Sequence, residues 1–189
     1  MNQQDPVSDE ALIKAVQKGD RNAAAWLYNR HIDRVHRICY RIVLDPSQVQ
    51  DCVQEVWLKV FRKLDRFQCD RSFAAWLNTV TANTAIDYYR KWVRRRNYIN
   101  NGEINPSTAA MDENPGNRQL DSALFQERIR EALEKISVNQ RTAFVLRYYE
   151  EMSIVEIAQA LGCSKGAVRT HIRRSLLALR AKLAGKIDV

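Results

Sequence analysis

The segment from Ser153 to Arg180 carries the side chains best suited to reading DNA, because two short helical patterns flank a tight turn and the second is basic. Ser153 followed by Glu156 is a capping-box pattern that begins the first helix. Gly162 tolerates the positive φ that commonly ends a helix, and Ser164 can accept a backbone N–H to begin the next. The pattern predicts a helix-turn-helix.

The second helix of this motif is predicted to bury one apolar stripe, formed by Val168, Ile172 and Leu176. Arginine pairs bidentately with guanine, threonine contacts bases or thymine methyl groups, and further cations neutralise phosphates. An ordinary helical hairpin with a solvated basic face is the alternative interpretation. The residues left on the outer face, where a DNA major groove would fit, are Lys165, Arg169, Thr170, Arg173 and Arg174.

The charge distribution favours a polyanionic partner met at two places. The 189 residues carry a formal charge of +8, which divides into +6 over residues 1–96, −2 over 97–119 and +4 over 120–189. Two basic halves around an acidic middle are typical of a protein that contacts nucleic acid twice. No apolar run approaches the roughly 20 residues that span a bilayer, and no signal peptide is recognised, so a cytoplasmic location is expected.

The thiol and imidazole side chains do not form a recognisable metal or disulfide pattern. The four cysteines are scattered without CxxC spacing, so neither a disulfide framework nor a closed zinc site is predicted. His36 and Cys39 lie one helical turn apart with His31 nearby, and whether these three bind a metal or merely pack is left open. No metal or other cofactor is expected.

Helical periodicity in nearly every segment predicts an all-α fold. Ser8 is expected to cap a helix that ends at Gly19, Asp20 to begin a longer helix that Pro46 ends, and Ser47 with Gln50 to form a capping box for a helix through about Leu64. A fourth helix is expected from about Ser72 to Arg95. Later helices are expected near 120–135, 138–149, 153–161 and 164–184.

A change in composition predicts two small domains. Residues 97–119 are rich in Asn, Gly, Pro and acidic side chains, with little that could form a core. A flexible linker of this length averages roughly 26 Å between its ends as a random coil. The expected domains are therefore residues 1–96 and 120–189, with the linker at 97–119.

The fourth helix of the first domain suits single-stranded DNA. Bases stack on aromatic faces while cations follow the phosphates, and an amide such as that of Asn83 can read a flipped base on its edge. Individual aromatic residues such as Trp76 also fit a simple core role. The cations at the end of this helix are Arg90, Lys91, Arg94, Arg95 and Arg96.

Asp51, Gln54 and Glu55 form a second polar patch, because positions three and four apart share one helix face. They could dock a basic partner. Alternatively, the carboxylates simply gain about 0.3–1 kcal/mol from the helix dipole near an N-terminus.

Three separated segments together resemble the sigma-70 family of bacterial RNA polymerase sigma factors, in particular its extracytoplasmic-function (ECF) subfamily. The segments are DCVQEVWLKVFRKLDRF, SFAAWLNTVTANTAIDYYR and ALEKISVNQRTAFVLRYYEEMSIVEIAQALGCSKGAVRTHIRRSLLALR. The resemblance covers both domains, called region 2 and region 4 in that family. It implies a dissociable subunit that binds core RNA polymerase, directs it to promoters and helps to open the DNA, without being an enzyme.

The resemblance also implies roles for individual residues. It implies that Asp51, Gln54 and Glu55 contact the clamp helices of the β′ subunit of core polymerase, and that the β subunit is a further contact. It assigns the −10 promoter element to Phe67, Gln68, Asp70, Arg71, Ser72, Asn83, Arg90, Lys91, Arg94, Arg95 and Arg96. It assigns the −35 element to Ser164, Lys165, Arg169, Thr170, His171, Arg173 and Arg174. An anti-sigma factor is an expected partner, a small-molecule substrate is not, and the free protein is expected to be a monomer.

Two other classes of protein fit parts of the sequence. A dimeric operator-binding regulator would use the helix-turn-helix, but the N-terminal half offers neither a clear ligand pocket nor a dimer helix. A recombinase or nuclease needs a placed nucleophile or clustered carboxylates for metal ions, and the acidic residues are dispersed. The regulator class also leaves the basic aromatic helix unexplained.

Overall fold

The computed structural model describes residues 7–68, 72–100 and 128–183, and helices account for nearly all of them. Within these ranges there is no β-strand, as the all-α prediction requires. The first bundle consists of α1 (Asp9–Gln17), α2 (Arg21–Val43), α3 (Pro46–Leu64) and α4 (Phe73–Asn100). The second bundle consists of α5, described over residues 128–134, and of α6 (Val138–Tyr148), α7 (Ile154–Leu161) and α8 (Lys165–Leu183).

Local capping explains where the first two helices begin and end. The Ser8 hydroxyl accepts a hydrogen bond from the backbone N–H of Ala11 at 3.2 Å. Asp20 accepts from the N–H groups of Asn22 and Ala23. Gly19 between the two helices has a φ of +92°, which a residue without a Cβ adopts without strain. Both caps and the intervening turn agree with the sequence prediction.

The predicted cap of α3 is wrong by two residues. Asp45, rather than Ser47, is the N-cap, and its carboxylate accepts from the N–H of Ser47 at 3.0 Å. Pro46 begins α3 instead of only ending α2. Proline is well suited to this first position because its missing N–H would be unsatisfied there in any case.

The core of the first bundle lies between α2, α3 and α4. Leu27, Ile38 and Trp57 belong to one buried apolar cluster. The side-chain amide of Gln17 links the short helix α1 to the end of α3 through two hydrogen bonds. This amide donates to the carbonyl oxygens of Leu64 at 2.9 Å and of Phe67 at 3.0 Å. The Leu64 carbonyl also accepts the backbone N–H of Phe67, so the amide reinforces the turn that follows α3.

Helix α4 is longer than predicted. It continues over residues 97–100, which the sequence assigned to the linker. Residues 97–101 contain neither glycine nor proline, so no strong helix-terminating residue stands at the predicted boundary. The rest of the predicted linker, residues 101–119, lies outside the described residues.

The second bundle packs α6 against α8, with α7 against both. Ser137 and Gln140 form a reciprocal capping box that begins α6. The two bundles also touch each other, since α2 and α4 contact α6, and α4 contacts α7.

Candidate nucleic-acid interface

The turn between α7 and α8 has the geometry that the sequence predicts. Gly162 ends α7 with a φ of +60°. Its neighbour Cys163 donates its backbone N–H to the carbonyl of Ala158 at 3.0 Å, and the Ser164 hydroxyl accepts from the N–H of Ala167 at 3.1 Å. Three residues, 162–164, therefore separate the two helices in a capped turn, which sets the angle at which α8 is presented.

Helix α8 exposes the face that the sequence predicts. Val168 and Ile172 are buried and Leu176 is half-buried, so the apolar stripe packs on the bundle. Thr170 donates its hydroxyl to the carbonyl of Gly166 at 3.1 Å, which orients its side chain along the helix. The exposed residues on the outer face are Ser164, Lys165, Arg169, Thr170, Arg173 and Arg174.

His171 is the exception on this helix. It is half-buried, and its Nδ1 atom is buried without a hydrogen-bond partner in the described part of the chain. Burial, and then the positive charge of Arg174, lower the pKa of the His171 imidazole. A neutral ring at the edge of the apolar stripe is less suited to holding phosphate than the exposed arginines beside it.

A groove that the sequence did not suggest opens onto this face, since Arg169 and Arg173 are among the residues that line it. It has a volume of about 510 Å³. Tyr148 and Leu177 are exposed at its edge, while Arg147 and Arg180 add positive charge. An apolar floor with a cationic rim fits an acidic, amphipathic protein segment.

The capping box of α7 gives a stability prediction. The Ser153 hydroxyl accepts from the N–H of Glu156 at 3.2 Å, and the Glu156 carboxylate accepts from the N–H of Ser153 at 2.8 Å. Hydrogen bonding of the Glu156 carboxylate to the Ser153 side chain, and then to the Ser153 backbone N–H, lowers the pKa of Glu156. We expect Ser153→Ala to reduce the free energy of unfolding by about 1 kcal/mol, since an orphan N–H loses its acceptor. Urea unfolding followed by circular dichroism measures this, with Gln159→Ala, an exposed change within α7, as the matched control. Equal midpoints for Ser153→Ala and the native chain would refute the prediction.

The long helix α4 presents the second basic surface. Asn83 is exposed two turns before the cationic end of the helix, and the side chains of Arg90, Lys91, Arg94, Arg95 and Arg96 are all exposed. The Arg96 guanidinium lies 5.4 Å from the Trp92 ring centroid, close enough for a cation–π contact. The predicted −10 residues of this helix therefore lie along one accessible element.

The residues before α4 are placed differently from one another. The Phe67 side chain is only 9% exposed, and its ring packs 4.9 Å from that of Trp76 and 5.7 Å from that of Phe73. Gln68 and Ser72 are exposed. Asp70 and Arg71 lie outside the described residues. Phe67 therefore packs beneath the surface of the predicted −10 site, whereas Gln68 and Ser72 are exposed on it.

The polar patch on α3 is accessible and electrostatically organised. Asp51 and Gln54 are exposed, and Glu55 is half-buried. One carboxylate oxygen of Glu55 lies 3.0 Å from Nζ of Lys59 and 3.6 Å from Nζ of Lys91. Burial opposes ionisation of Glu55, but the hydrogen bonds and charges of the two lysines outweigh it and lower its pKa. The carboxylate is therefore held ionised and oriented.

An apolar side chain extends this patch by one turn. Leu58 follows Gln54 and Glu55 at helical spacing and is 64% exposed. Leu58 was not among the predicted docking residues, although the same helical periodicity places it on their face. An exposed leucine beside the carboxylates can add apolar contact area to a protein-docking surface.

The histidine and cysteine side chains do not converge on one point. Nε2 of His31 lies 2.9 Å from the Asp9 carboxylate, His36 is exposed and Cys39 is buried in the core. In the described ranges, no three His, Cys, Asp or Glu residues are grouped closely enough to hold a metal ion. Nor does any helix of those ranges combine the length and apolar character needed to cross a membrane.

Comparisons with known proteins match both bundles to one family. The family model for sigma-70 region 2 matches residues 27–96, and that for sigma-70 region 4 matches residues 126–179. The ECF RNA polymerase sigma-E factor of Escherichia coli K12 is 34% identical over 94% of this chain and 95% of its own. The ECF sigma factor SigW of Bacillus subtilis is 29% identical over 90% and 94%.

Solved structures share the fold. CnrH, solved in complex with the cytosolic domain of CnrY, is 25% identical, with a TM-score of 0.66 over 94% of this chain and 98% of that one. The sigma factor RpoE of Bartonella quintana, solved with the anti-sigma factor NepR, has the same TM-score at 20% identity over 84% and 95%. The helical bundles described above are therefore those of a known architecture.

Proposed function

The chain belongs to the ECF sigma factors of the sigma-70 family, and on this premise we propose that each of its two bundles recognises a different element of the promoter. The first bundle (region 2) binds core polymerase and the −10 element. The second bundle (region 4) reads the −35 element. The protein acts as a transcription initiation factor.

The exposed basic face of α8 is the observation that carries this proposal. Its apolar stripe is packed and its turn is capped, so Arg169, Thr170 and Arg173 project from a rigid scaffold toward solvent. Base reading requires such fixed donors, because each bidentate pair is worth about 1–3 kcal/mol only when its geometry is held. Lys165 and Arg174, at the flanks, are suited to phosphates.

In this proposal the exposed side of α4 binds the melted DNA. Asn83 offers an amide to an unstacked base, and the cations from Arg90 to Arg96 follow the upstream backbone. Phe67 acts through packing, holding the polar residues Gln68 and Ser72 at the surface. Asp70 and Arg71 complete the −10 site by resemblance alone.

Core polymerase meets the protein at two places in this proposal. Asp51, Gln54 and Glu55, with Leu58 beside them, contact the clamp helices of the β′ subunit, where fixed carboxylates suit a basic partner. The β subunit is the second contact, as the family resemblance implies. An anti-sigma factor is a further proposed partner, supported by the solved complex of the related CnrH with a protein partner.

Selection from a randomised duplex library tests this function. The library is incubated with core polymerase and the protein, and bound DNA is recovered and sequenced. The proposal expects enrichment of two separate, non-palindromic elements that depends on both proteins. A single palindrome bound by the protein alone would indicate an operator-binding regulator instead, and no enrichment would refute both.

Promoter opening depends on Asn83 in this account. We expect Asn83→Ala to slow opening about 3- to 10-fold, the effect of losing one hydrogen bond, while closed-complex binding changes little. Permanganate footprinting of unpaired thymines measures opening, and Asn29→Ala, an exposed change on α2, is the matched control. Normal melting by the Asn83 variant would exclude this role.

A further inference from the structure

The C-terminal end of helix α1 is bonded to the chain where it enters the proposed −10 site. The Gln17 amide, which has two N–H donors, reaches the carbonyl oxygens of Leu64 at 2.9 Å and of Phe67 at 3.0 Å. Phe67 is buried and is followed directly by the exposed Gln68. One side chain of α1 therefore fixes the backbone at the point where the chain leaves α3 and reaches the surface of the site.

The N-terminal end of α1 is connected to the other side of the same site through His31. The Asp9 carboxylate lies 2.9 Å from Nε2 of His31 and accepts a hydrogen bond from Arg30 at 2.8 Å. The His31 side chain is buried, and its ring meets the Phe73 ring edge-on with 5.2 Å between the centroids. Phe73 begins α4 and directly follows the exposed Ser72. The bonded imidazole therefore packs against the residue with which the chain leaves the surface of the site.

The two phenylalanines that α1 reaches belong to one aromatic cluster, formed by Phe67, Phe73 and Trp76. The rings of Phe67 and Phe73 are nearly perpendicular, with their centroids 5.7 Å apart. The Trp76 ring lies 4.9 Å from that of Phe67 and 5.6 Å from that of Phe73. Because closely packed rings transmit a displacement to one another, the positions of the neighbouring Gln68 and Ser72 depend on the whole cluster.

Gln17 contributes to position rather than to the hydrophobic core. Leu12 and Ile13 are the buried residues that anchor α1 on the bundle, whereas Gln17 is exposed. Its amide makes no apolar contribution, yet it bridges two backbone carbonyls of another segment. Asp9 and Gln17 are eight residues apart, about 12 Å along a helix, so the two links fix both ends of α1.

We propose that Gln17 and His31 are positioning residues for recognition of the −10 element. Through the aromatic cluster they fix where Gln68 and Ser72 face the unpaired DNA, and neither of them touches DNA itself. The inference rests on the proposed function, because it takes Gln68 and Ser72 as part of the −10 site. Discrimination between bases needs donors and acceptors in fixed places, whereas overall affinity depends mainly on phosphate contacts. Loosening either link should therefore reduce base preference more than DNA affinity.

Hydrogen exchange of single backbone amides in the free, full-length chain tests the Gln17 link. The Phe67 N–H donates at 3.0 Å to the Leu64 carbonyl, which the Gln17 amide also contacts. Gln17→Ala is expected to accelerate exchange of this N–H about 3- to 10-fold, the effect of losing about one net hydrogen bond. Asn29→Ala, which removes an exposed amide of α2, is the matched control and should leave the rate unchanged. Equal rates in Gln17→Ala and the native chain, measured by NMR, would overturn the proposal.

Binding of holoenzyme to single-stranded oligonucleotides tests the effect on base reading. The oligonucleotides carry the selected −10 element and its single-base variants. Gln17→Ala and Gln17→Glu are expected to lower the preference for the selected base about 3- to 10-fold at one or more positions, because neither side chain can donate to the two carbonyls. Asn29→Asp is the control for the change of charge.

Two results of this binding experiment would contradict the role of Gln17. Unchanged base preference in both Gln17 variants would overturn the proposal. An equal loss of affinity for every oligonucleotide would also overturn it, because a merely structural role of Gln17 predicts that result.

The His31 link is tested through its partner Asp9, whose side chain is partly exposed and can be changed without opening the core. Asp9→Ala removes the acceptor and is expected to lower the base preference about 2- to 5-fold. Asp9→Asn keeps a side-chain oxygen and is expected to retain most of the preference. Equal base preference in the two variants would overturn the role assigned to His31.

The two kinds of measurement separate failure of the links from failure of the function. Hydrogen exchange uses neither polymerase nor DNA, so it reports on the Gln17 link alone. A native holoenzyme without any preference among the oligonucleotides would overturn the proposed −10 function, and the positioning roles with it. A native preference that the Gln17 and Asp9 variants retain in full would overturn the positioning roles and leave the −10 function standing.

Discussion

Replacing both Asp51 and Glu55 by lysine is expected to weaken binding of core RNA polymerase by about 2–4 kcal/mol, or roughly 30- to 1,000-fold in Kd. The change removes two attractive carboxylates and places two cations against a basic partner. Glu55 is already held by Lys59 and Lys91, so its replacement also leaves a cluster of three like charges. Biolayer interferometry with immobilised core polymerase measures the effect.

The control for this variant carries the same change in net charge elsewhere. Asp33→Lys with Asp65→Lys alters two exposed carboxylates away from the patch, and its affinity should stay within about 3-fold of the native value. A docking variant that binds as tightly as this control would show that the α3 patch does not contact polymerase. Leu58→Ala, tested alongside, reports on the apolar part of the surface.

Arg169→Ala is expected to cost about 1–3 kcal/mol at one base pair of the −35 element and to relax the preference at that position. Arg169 is exposed at the first turns of α8, where a helix in the major groove meets base edges. The loss should appear only with the preferred base, because the contact that fails is specific. Competition binding of holoenzyme to the four single-base variants at each −35 position measures it.

Lys165→Ala provides the contrast for Arg169→Ala. Loss of a lysine that contacts a phosphate should weaken binding to all DNA sequences equally. It should also reduce the salt dependence of binding by about one released ion. If Arg169→Ala behaves in the same way, Arg169 contacts the backbone and does not read a base.

The sequence predicted most of what depends on neighbouring residues. The caps at Ser8, Asp20 and Ser153 were all confirmed, because each hydrogen bond joins residues two or three apart and needs no tertiary context. The predicted N-cap of α3 at Ser47 was wrong, although a stronger capping signal stands two residues earlier in the sequence. Asp45 followed by proline is the stronger start, since proline favours the first helical position.

The faces of α8 were predictable because helical periodicity separates buried from exposed positions. His171 shows the limit of that reasoning. It lies three residues after buried Val168 and four before buried Ser175, so its position flanks the apolar stripe. A prediction based only on which residues of the helix are basic or polar does not show that His171 borders the apolar stripe.

The contact between the bundles was beyond the reach of sequence reasoning. Arg34 and Glu150 are 116 residues apart, and no local pattern marks either as a partner of the other. Arg141 is a similar case, because an arginine on an amphipathic helix is ordinarily predicted to face solvent. Only the packed structure shows that Tyr89 covers it.

Multi-round transcription with purified core polymerase is the most direct test of the central claim that this chain is a promoter-directing sigma factor. Reactions on the selected two-element templates are run with the protein, without it, and with the Asp51→Lys, Glu55→Lys variant. The account predicts RNA that starts at one defined position, requires both elements and the native protein, and falls sharply with the variant. Absence of protein-dependent RNA on every template would contradict it.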